Sequence, residues 1–301
     1  MINFGFRGQT QRSLQNMNSQ LPQELIDTIL ENLNVEVDQW TLRRCSLACS
    51  SLLYLSRRRI FHRIILLPPL RYRCMSSYKP KSPCKRFHNL LLDSPHIATF
   101  IQELKLYEGQ DCKDQAWLGS DPSLPLVLGM LKDLKRIEFR RLEWSLELPL
   151  AVRQSIQNVL ELPSLHFVHM ERSDFANMND FSSLLSHAEG LTGLSLDEIH
   201  TCYRHLEPVS PEFSRQGRDT KEKGVHSHRR PLRDLRLNVN NHSEFVNWLL
   251  GPQSLLDVSH IRTLHIAHYP SEAHVIKVLL HAIGGSLNYF KFEAPNNYWS
   301  E

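Results

Sequence analysis

Cysteines, histidines and acidic residues are the side chains of this 301-residue chain that could do chemistry, and their spacing argues against most of it. Cys45, Cys49, Cys74, Cys84, Cys112 and Cys202 are scattered, with no CxxC pair, and read as buried or idle thiols. Two histidine pairs, "HFVH" (166–169) and "HIAH" (265–268), stand at the same place in two similar segments, so a metal is the chemistry to weigh. On a strand, residues three apart point to opposite faces, so neither pair can close on one ion. No glycine-rich phosphate loop and no GxSxG turn occur, and the carboxylates show no pairing suited to acid–base work. The sequence therefore predicts no catalytic residue, no bound metal, no cofactor and no activity as an enzyme acting alone. What remains to be explained is scaffolding.

The first scaffold is a small helical unit, "LPQELIDTILENLNVEVDQWTLRRCSLACSSLLYLSRRRIFHRIIL" (21–66). Pro22 suits a first helical turn, where its missing N–H has no partner to lose. Leu25, Ile29 and Leu33 recur every four residues, with Ile26 and Leu30 beside them. After "NVEVD" a second stripe, Leu42, Cys45, Cys49 and Leu52, is spaced 3, 4 and 3. Three arginines (57–59) precede Ile60 and Phe61. Three short helices can bury only a small core, so such a unit leans on something else.

This segment resembles an F-box. The resemblance rests on the Leu-Pro opening, the "ELIDTIL" first helix, the Leu-x-x-Cys-x-x-x-Cys second helix and the "RRRIFHRI" close. The stretch "RFHNLLLDSPHIATFIQELKL" (86–106) is also similar to the segment that follows the box in many fungal F-box-like proteins. The resemblance implies docking on the acidic, S-phase-kinase-associated type of linker subunit, and through it on the cullin of a ubiquitin ligase. Carried over by position, Leu21, Pro22, Leu25, Ile29, Leu42, Cys45, Cys49 and Ile60 form the apolar contact. One departure stands out: many F-boxes have Trp three residues after the second cysteine, where this chain has Leu52.

The second scaffold is a repetition. The segments "IQELKL", "LKRIEF", "LPSLHF", "LTGLSL", "LRDLRL", "IRTLHI" and "LNYFKF" end at residues 106, 139, 167, 196, 237, 266 and 292, in steps of 33, 28, 29, 41, 29 and 26. Each ends in the alternation of a half-buried strand, and helical patterns lie between them. Strand and helix recurring near 28 residues is the signature of a leucine-rich-repeat solenoid with parallel strands; a compact α/β domain is the runner-up. The expected fold class is thus α/β: a tail (1–20), a three-helix F-box-like unit (21–66), a basic linker and connecting helix (67–100), and an irregular leucine-rich-repeat region (101–301). The long step holds a polar, aperiodic insertion at 207–231, expected to be mobile, and 72–86 reads as linker or loop. The residues flanking each L-x-L core should line one face. From these come the candidate substrate contacts Lys105, Tyr107, Arg136, Glu138, Arg140, His166, Asp197, Arg236, His265 and Lys291. That face mixes charge signs, which fits a protein or peptide better than a polyanion.

Charge adds an alternative. Between Gln39 and Leu92 there is no acidic residue but twelve Lys and Arg, so the rest of a chain of net charge +3 sums to −9. A segregated basic block seeks an acidic partner. The linker subunit is one and nucleic acid, through 39–92, is another. The leading expectation is a substrate-recognition subunit of a cullin-type ubiquitin ligase that binds a protein substrate through its repeats. The alternatives are a stand-alone repeat scaffold and a nucleic-acid binder. The first 20 residues lack the apolar core of a signal peptide and no stretch reaches about 18 apolar residues, so no membrane partner and an intracellular, cytoplasmic or nuclear, location are expected.

Overall fold

A computed structural model of the chain describes residues 22–35, 37–69, 82–108, 117–144, 148–201, 229–239, 241–267 and 273–293. The chain divides into two units, Met1–Phe61 and His62–Glu301. Leu21, the 1–20 tail and most of the 207–231 insertion lie outside the described residues, as do Cys74, Cys112 and Cys202.

In the first unit, helices α1 (Gln23–Asn32), α2 (Gln39–Ala48) and α3 (Ser50–Phe61) follow the sequence periodicity. Pro22 caps α1, as its fixed φ favours. The carbonyls at the end of α1 are met from α3: the Arg59 guanidinium donates to the Glu31 and Leu33 carbonyl oxygens at 3.0 and 2.8 Å. A cation there also suits the negative end of the helix dipole. Leu30 and Leu42 are the buried apolar side chains of this unit.

The second unit is α/β and is built on a parallel sheet. Its strands are β1 (Arg63–Leu66), β2 (Glu103–Tyr107), β3 (Arg136–Arg140), β4 (Glu143–Trp144), β5 (Phe167–Glu171), β6 (Asp174–Phe175), β7 (Gly193–Asp197), β8 (His200–Thr201), β9 (Arg230–Pro231), β10 (Asp234–Asn238), β11 (Leu256–Asp257), β12 (Thr263–Ala267) and β13 (Tyr289–Glu293). Eight of them form one sheet in chain order, β1-β2-β3-β5-β7-β10-β12-β13, with every pairing parallel. Parallel neighbours need a crossover, and among the described residues helices supply it for every pair but β7 and β10: α4 (Pro83–Asp93), α5 (Trp117–Ser120), α6 (Leu124–Met130), α7 (Leu150–Leu160), α8 (Met178–Ser186), α9 (His242–Leu250) and α10 (Ala273–Ile283). Three helix starts are capped as their sequences dictate. Ser82, Asn177 and Asn241 each accept a backbone N–H three residues on.

Three expectations are corrected here. Residues 63–66 form an edge strand of the large sheet rather than the end of the helical unit. Within 72–86, residues from Pro83 on are helical, because Ser82 caps a helix with Pro83 in its first turn. Arg230 and Pro231, counted with the insertion, pair with Leu256 and Asp257.

Alternation puts the second and fourth residues of each strand inside. Leu104, Leu106, Ile137, Phe139, Val168, Met170, Leu264 and Ile266 are all fully buried. Helix stripes such as Val152, Ile156 and Val159 of α7 are buried as well. Phe181 of α8 anchors an aromatic cluster, edge-on to Phe175, Phe245 and Trp248 at 5.1–5.4 Å. At the last strand the same positions, Phe290 and Phe292, stay 43% and 51% exposed.

One bend recurs. Arg141, Arg172 and Glu198 each follow a strand of the sheet by one residue and hold positive φ of 61°, 50° and 50°. The turned chain then forms the short ladder β4-β6-β8. A left-handed non-glycine residue is costly, so three at equivalent places mark a geometry imposed by stacking. Among the described residues no helix is long and apolar enough to cross a membrane.

Glu108, just after β2, accepts the Leu118 N–H at 3.3 Å. Burial, aided by the charge of Glu143, pushes its carboxyl up to about 7. A raised folded-state value means stability is fully present below the unfolded value, near 4.5, and is lost as pH rises through about 7. Glu108→Gln should therefore match the wild type at pH 4.5 or below and exceed it at pH 8, measured by denaturant unfolding at both.

Candidate functional site

In-register pairing turns the outward side chains into three rows. The first residues of the strands run Arg63, Glu103, Arg136, Phe167, Gly193, Asp234, Thr263, Tyr289. The third residues run Ile65, Lys105, Glu138, His169, Ser195, Arg236, His265, Lys291. The fifth run Tyr107, Arg140, Glu171, Asp197, Asn238, Ala267, Glu293.

Neighbours within a row satisfy each other. Lys105 and Glu138, 9% and 5% exposed, pair at 2.5 Å. The Tyr107 hydroxyl also approaches Glu138, at 3.5 Å. Arg140 pairs with Glu171 at 2.9 Å and lies over the Tyr107 ring. Arg136 stacks on Phe167 at 4.1 Å. A Cβ on Gly193 would stand 2.4 Å from the Phe167 ring, so glycine is what lets that ring lie across the next strand. His169 Nδ1 and Ser195 Oγ are 2.8 Å apart, and the Asn238 amide donates to Asp197 at 2.5 Å. Burial pushes the His169 imidazole down, toward its neutral form. His265 Nε2 lies 2.8 Å from Glu293, which also binds Lys291. Those contacts hold the Glu293 carboxyl below its usual range, the Lys291 bond contributing most. His169, Ser195, Asp197, Arg236, Asn238, His265 and Glu293 border a cleft of about 220 Å³.

Nine of the ten expected face residues lie on this surface, although Lys105 and Glu138 are nearly buried against each other. His166 does not. The strand of the third repeat segment, β5, begins at Phe167, three residues later than its motif suggests, so His166 precedes it and His169 takes the face position. "LPSLHF" (162–167) mimics the pattern, but the true core pair is Val168 and Met170, and Val168, expected on the face, is fully buried. The two histidine motifs are accordingly out of phase: His169, not His166, aligns with His265. The alternation V-x-M at 168–170 was the signal available in the sequence.

Glu138, His169 and Glu171 offer ligand atoms within 4.8 Å of one another, a grouping the sequence did not suggest. The chemistry of the set is poor for a cation. Each carboxylate already faces its own, Lys105 or Arg140. An ion binding Glu138 would strand the Lys105 ammonium in a nearly dry site.

In the helical unit the expected contact residues divide. Leu25 and Ile29 are 50% and 55% exposed on one face of α1, beside the exposed Pro22, and Cys49 is exposed. Cys45 and Ile60 are half-buried. Leu42 is fully buried and fills the unit's interior, which corrects its expected role in a contact. Trp40, Leu47 and Tyr54, not foreseen, are exposed at 59%, 87% and 57%. The Arg44 guanidinium lies 3.3 Å from the centre of the Trp40 ring. Backbone N–H groups at the start of α3, that of Leu52 foremost, lower the Cys49 thiol.

No protein-family profile matches the chain, and no curated protein sequence matches it.

The Lys105–Glu138 pair offers a direct test of how the face is held together. Lys105→Met leaves a buried carboxylate without its cation and should destabilise by about 3–5 kcal/mol. Lys105→Met with Glu138→Leu should recover most of that loss. A double-mutant cycle by denaturant unfolding measures both.

Proposed function

We propose that the chain is a non-enzymatic recruiter for a cullin-type ubiquitin ligase. The helical unit, an F-box in this reading, docks on the ligase's acidic linker subunit, and the strand face holds a protein substrate. Residues 62–301 are then an irregular leucine-rich-repeat solenoid, a reading supported by eight parallel strands in chain order and by the recurring left-handed bend. Catalysis would be by positioning, with the reactive thioester on other subunits.

The observation that carries the docking half is the exposed apolar surface of so small a unit. Leu25, Ile29, Trp40, Leu47 and Tyr54 are each at least half exposed. So high a share of exposed large apolar side chains in one small unit supports a contact surface. Mixed, mutually paired charges on the strand face support a protein ligand rather than a polyanion. The nucleic-acid alternative is weakened because Arg59 and Arg63, within the basic block, are engaged inside their own units, Arg63 with Glu103 at 3.5 Å.

Leu25→Asp with Ile29→Asp tests the reading. Each anchor is worth roughly 2 kcal/mol, so the double variant should bind the linker subunit about a thousandfold more weakly. Leu30 and Leu42 still hold the interior, so circular dichroism should report intact helices. Co-purification of the linker subunit with wild type and variant reads the result. A folded variant that binds normally rules out this face, and a wild type that never binds leaves the stand-alone scaffold, for which Leu52 in place of the usual Trp is the supporting feature.

A further inference from the structure

Cations on the strand face are partnered, by a residue of the next strand or, for Lys291, of its own. Lys105 meets Glu138, Arg140 meets Glu171, Lys291 meets Glu293, and Arg136 covers the Phe167 ring. Arg236, the third residue of β10, breaks this pattern. It is exposed and, among the described residues, has neither a carboxylate nor an aromatic partner. It borders the 220 Å³ cleft, with His169 and Ser195 from one side and His265 from the other. We propose that this cleft seats the carboxylate of an aspartate or glutamate side chain from a protein partner, with Arg236 as its anchor. The inference rests on the proposed role of the strand face in substrate recognition and names the chemistry that the face selects.

Three features lead to that occupant. A guanidinium presents a planar fork of N–H donors, and a carboxylate satisfies two of them at once. Two of the neighbouring groups are uncharged hydrogen-bonding partners: the Ser195 hydroxyl, and the His169 ring that burial pushes toward its neutral form. The volume suits one side chain and falls below the range of sites for cofactors and larger small molecules.

Charge decides between a carboxylate and a phosphate. Asp197 and Glu293 also border the cleft, Asp197 held by Asn238 and Glu293 by His265 and Lys291. Arg236 and Lys291 together balance those two carboxylates, so the empty cleft is close to neutral. A dianion doubles its attraction to Arg236 but also its repulsion from two fixed carboxylates, and it finds no second free guanidinium. A monoanion incurs half that repulsion and keeps the same bidentate bond.

The test titrates the full-length chain with three pentapeptides, acetyl-Ala-Ala-X-Ala-Ala-amide, in which X is Glu, Gln or phosphoserine. The ring resonances of His169 and His265 are followed by NMR. The Glu peptide should shift both saturably, the Gln peptide should bind at least about tenfold more weakly, and the phosphoserine peptide should bind no more tightly than Glu. Arg236→Gln should weaken the Glu peptide by about ten- to hundredfold at an unchanged melting temperature. Arg236→Lys, which keeps the charge and loses the fork, should fall between. No saturable shift, equal binding of Glu and Gln, or an unaffected Arg236→Gln variant each overturns the assignment. Tighter binding of phosphoserine overturns the choice of a monoanion. Linker-subunit co-purification, run on wild type and Arg236→Gln, reports the docking half separately. Its loss with the titration intact would sink the ligase reading alone, and the reverse would sink the cleft alone.

Discussion

Parallel hydrogen bonding fixes which side chains stand beside which on the large sheet. Arg136 faces Glu103 on one side and Phe167 on the other, and every strand that follows keeps the count. Side-chain period is two, so a slip of one residue would exchange the faces. Lys105 and Glu138 would enter the core, and Ile137 and Phe139 would meet water. The apolar rows therefore hold the register against slippage, and the polar rows inherit their neighbours from it. The ion pairs on the face are a consequence of this register more than its cause. Exposed ion pairs, such as Arg172–Glu198 at the bends, at 2.6 Å but more than 40% exposed, add little stability.

The same constraint accounts for the bends. Once strands stack in register, the residue after each strand meets its counterpart in the next unit. The Arg141 N–H donates to the Glu171 carbonyl, the Arg172 N–H to that of Asp197, and the Glu198 N–H to that of Asn238, all at 2.6–2.7 Å. These bonds offset the left-handed backbone and aim Trp144 and Phe175 inward, where Phe175 joins the aromatic cluster around Phe181. Strain appears only where a repeated interaction opposes it.

The helical unit obeys a different economy. Among its described residues Leu30 and Leu42 are the fully buried apolar side chains, and most of the other Leu, Ile and aromatic residues are half-buried or exposed. Arg59 compensates in part by closing the end of α1 with hydrogen bonds rather than packing. A unit of this kind has apolar surface to offer, whereas the strand face offers paired polar groups.

Sequence alone determined much of this. Periods of two and of 3.6 depend only on local geometry, so the alternation in "IQELKL" or "LRDLRL" and the stripes of α1 and α2 could be read directly, and so could the α/β class with parallel strands. Nine of ten face residues followed from the same count. Tertiary structure decided what local patterns leave degenerate. Both "LPSLHF" and the later V-x-M alternation could start β5, and only pairing with Arg136 and Gly193 chose Phe167 and so exposed His169 in place of His166. Leu25 and Leu42 look alike in sequence, yet one lies half in water and the other inside, because burial depends on which helix packs against which stripe. The grouping of Glu138, His169 and Glu171 and the isolation of Arg236 join residues about 30 or more apart in the chain or concern a missing neighbour, and register alone creates either.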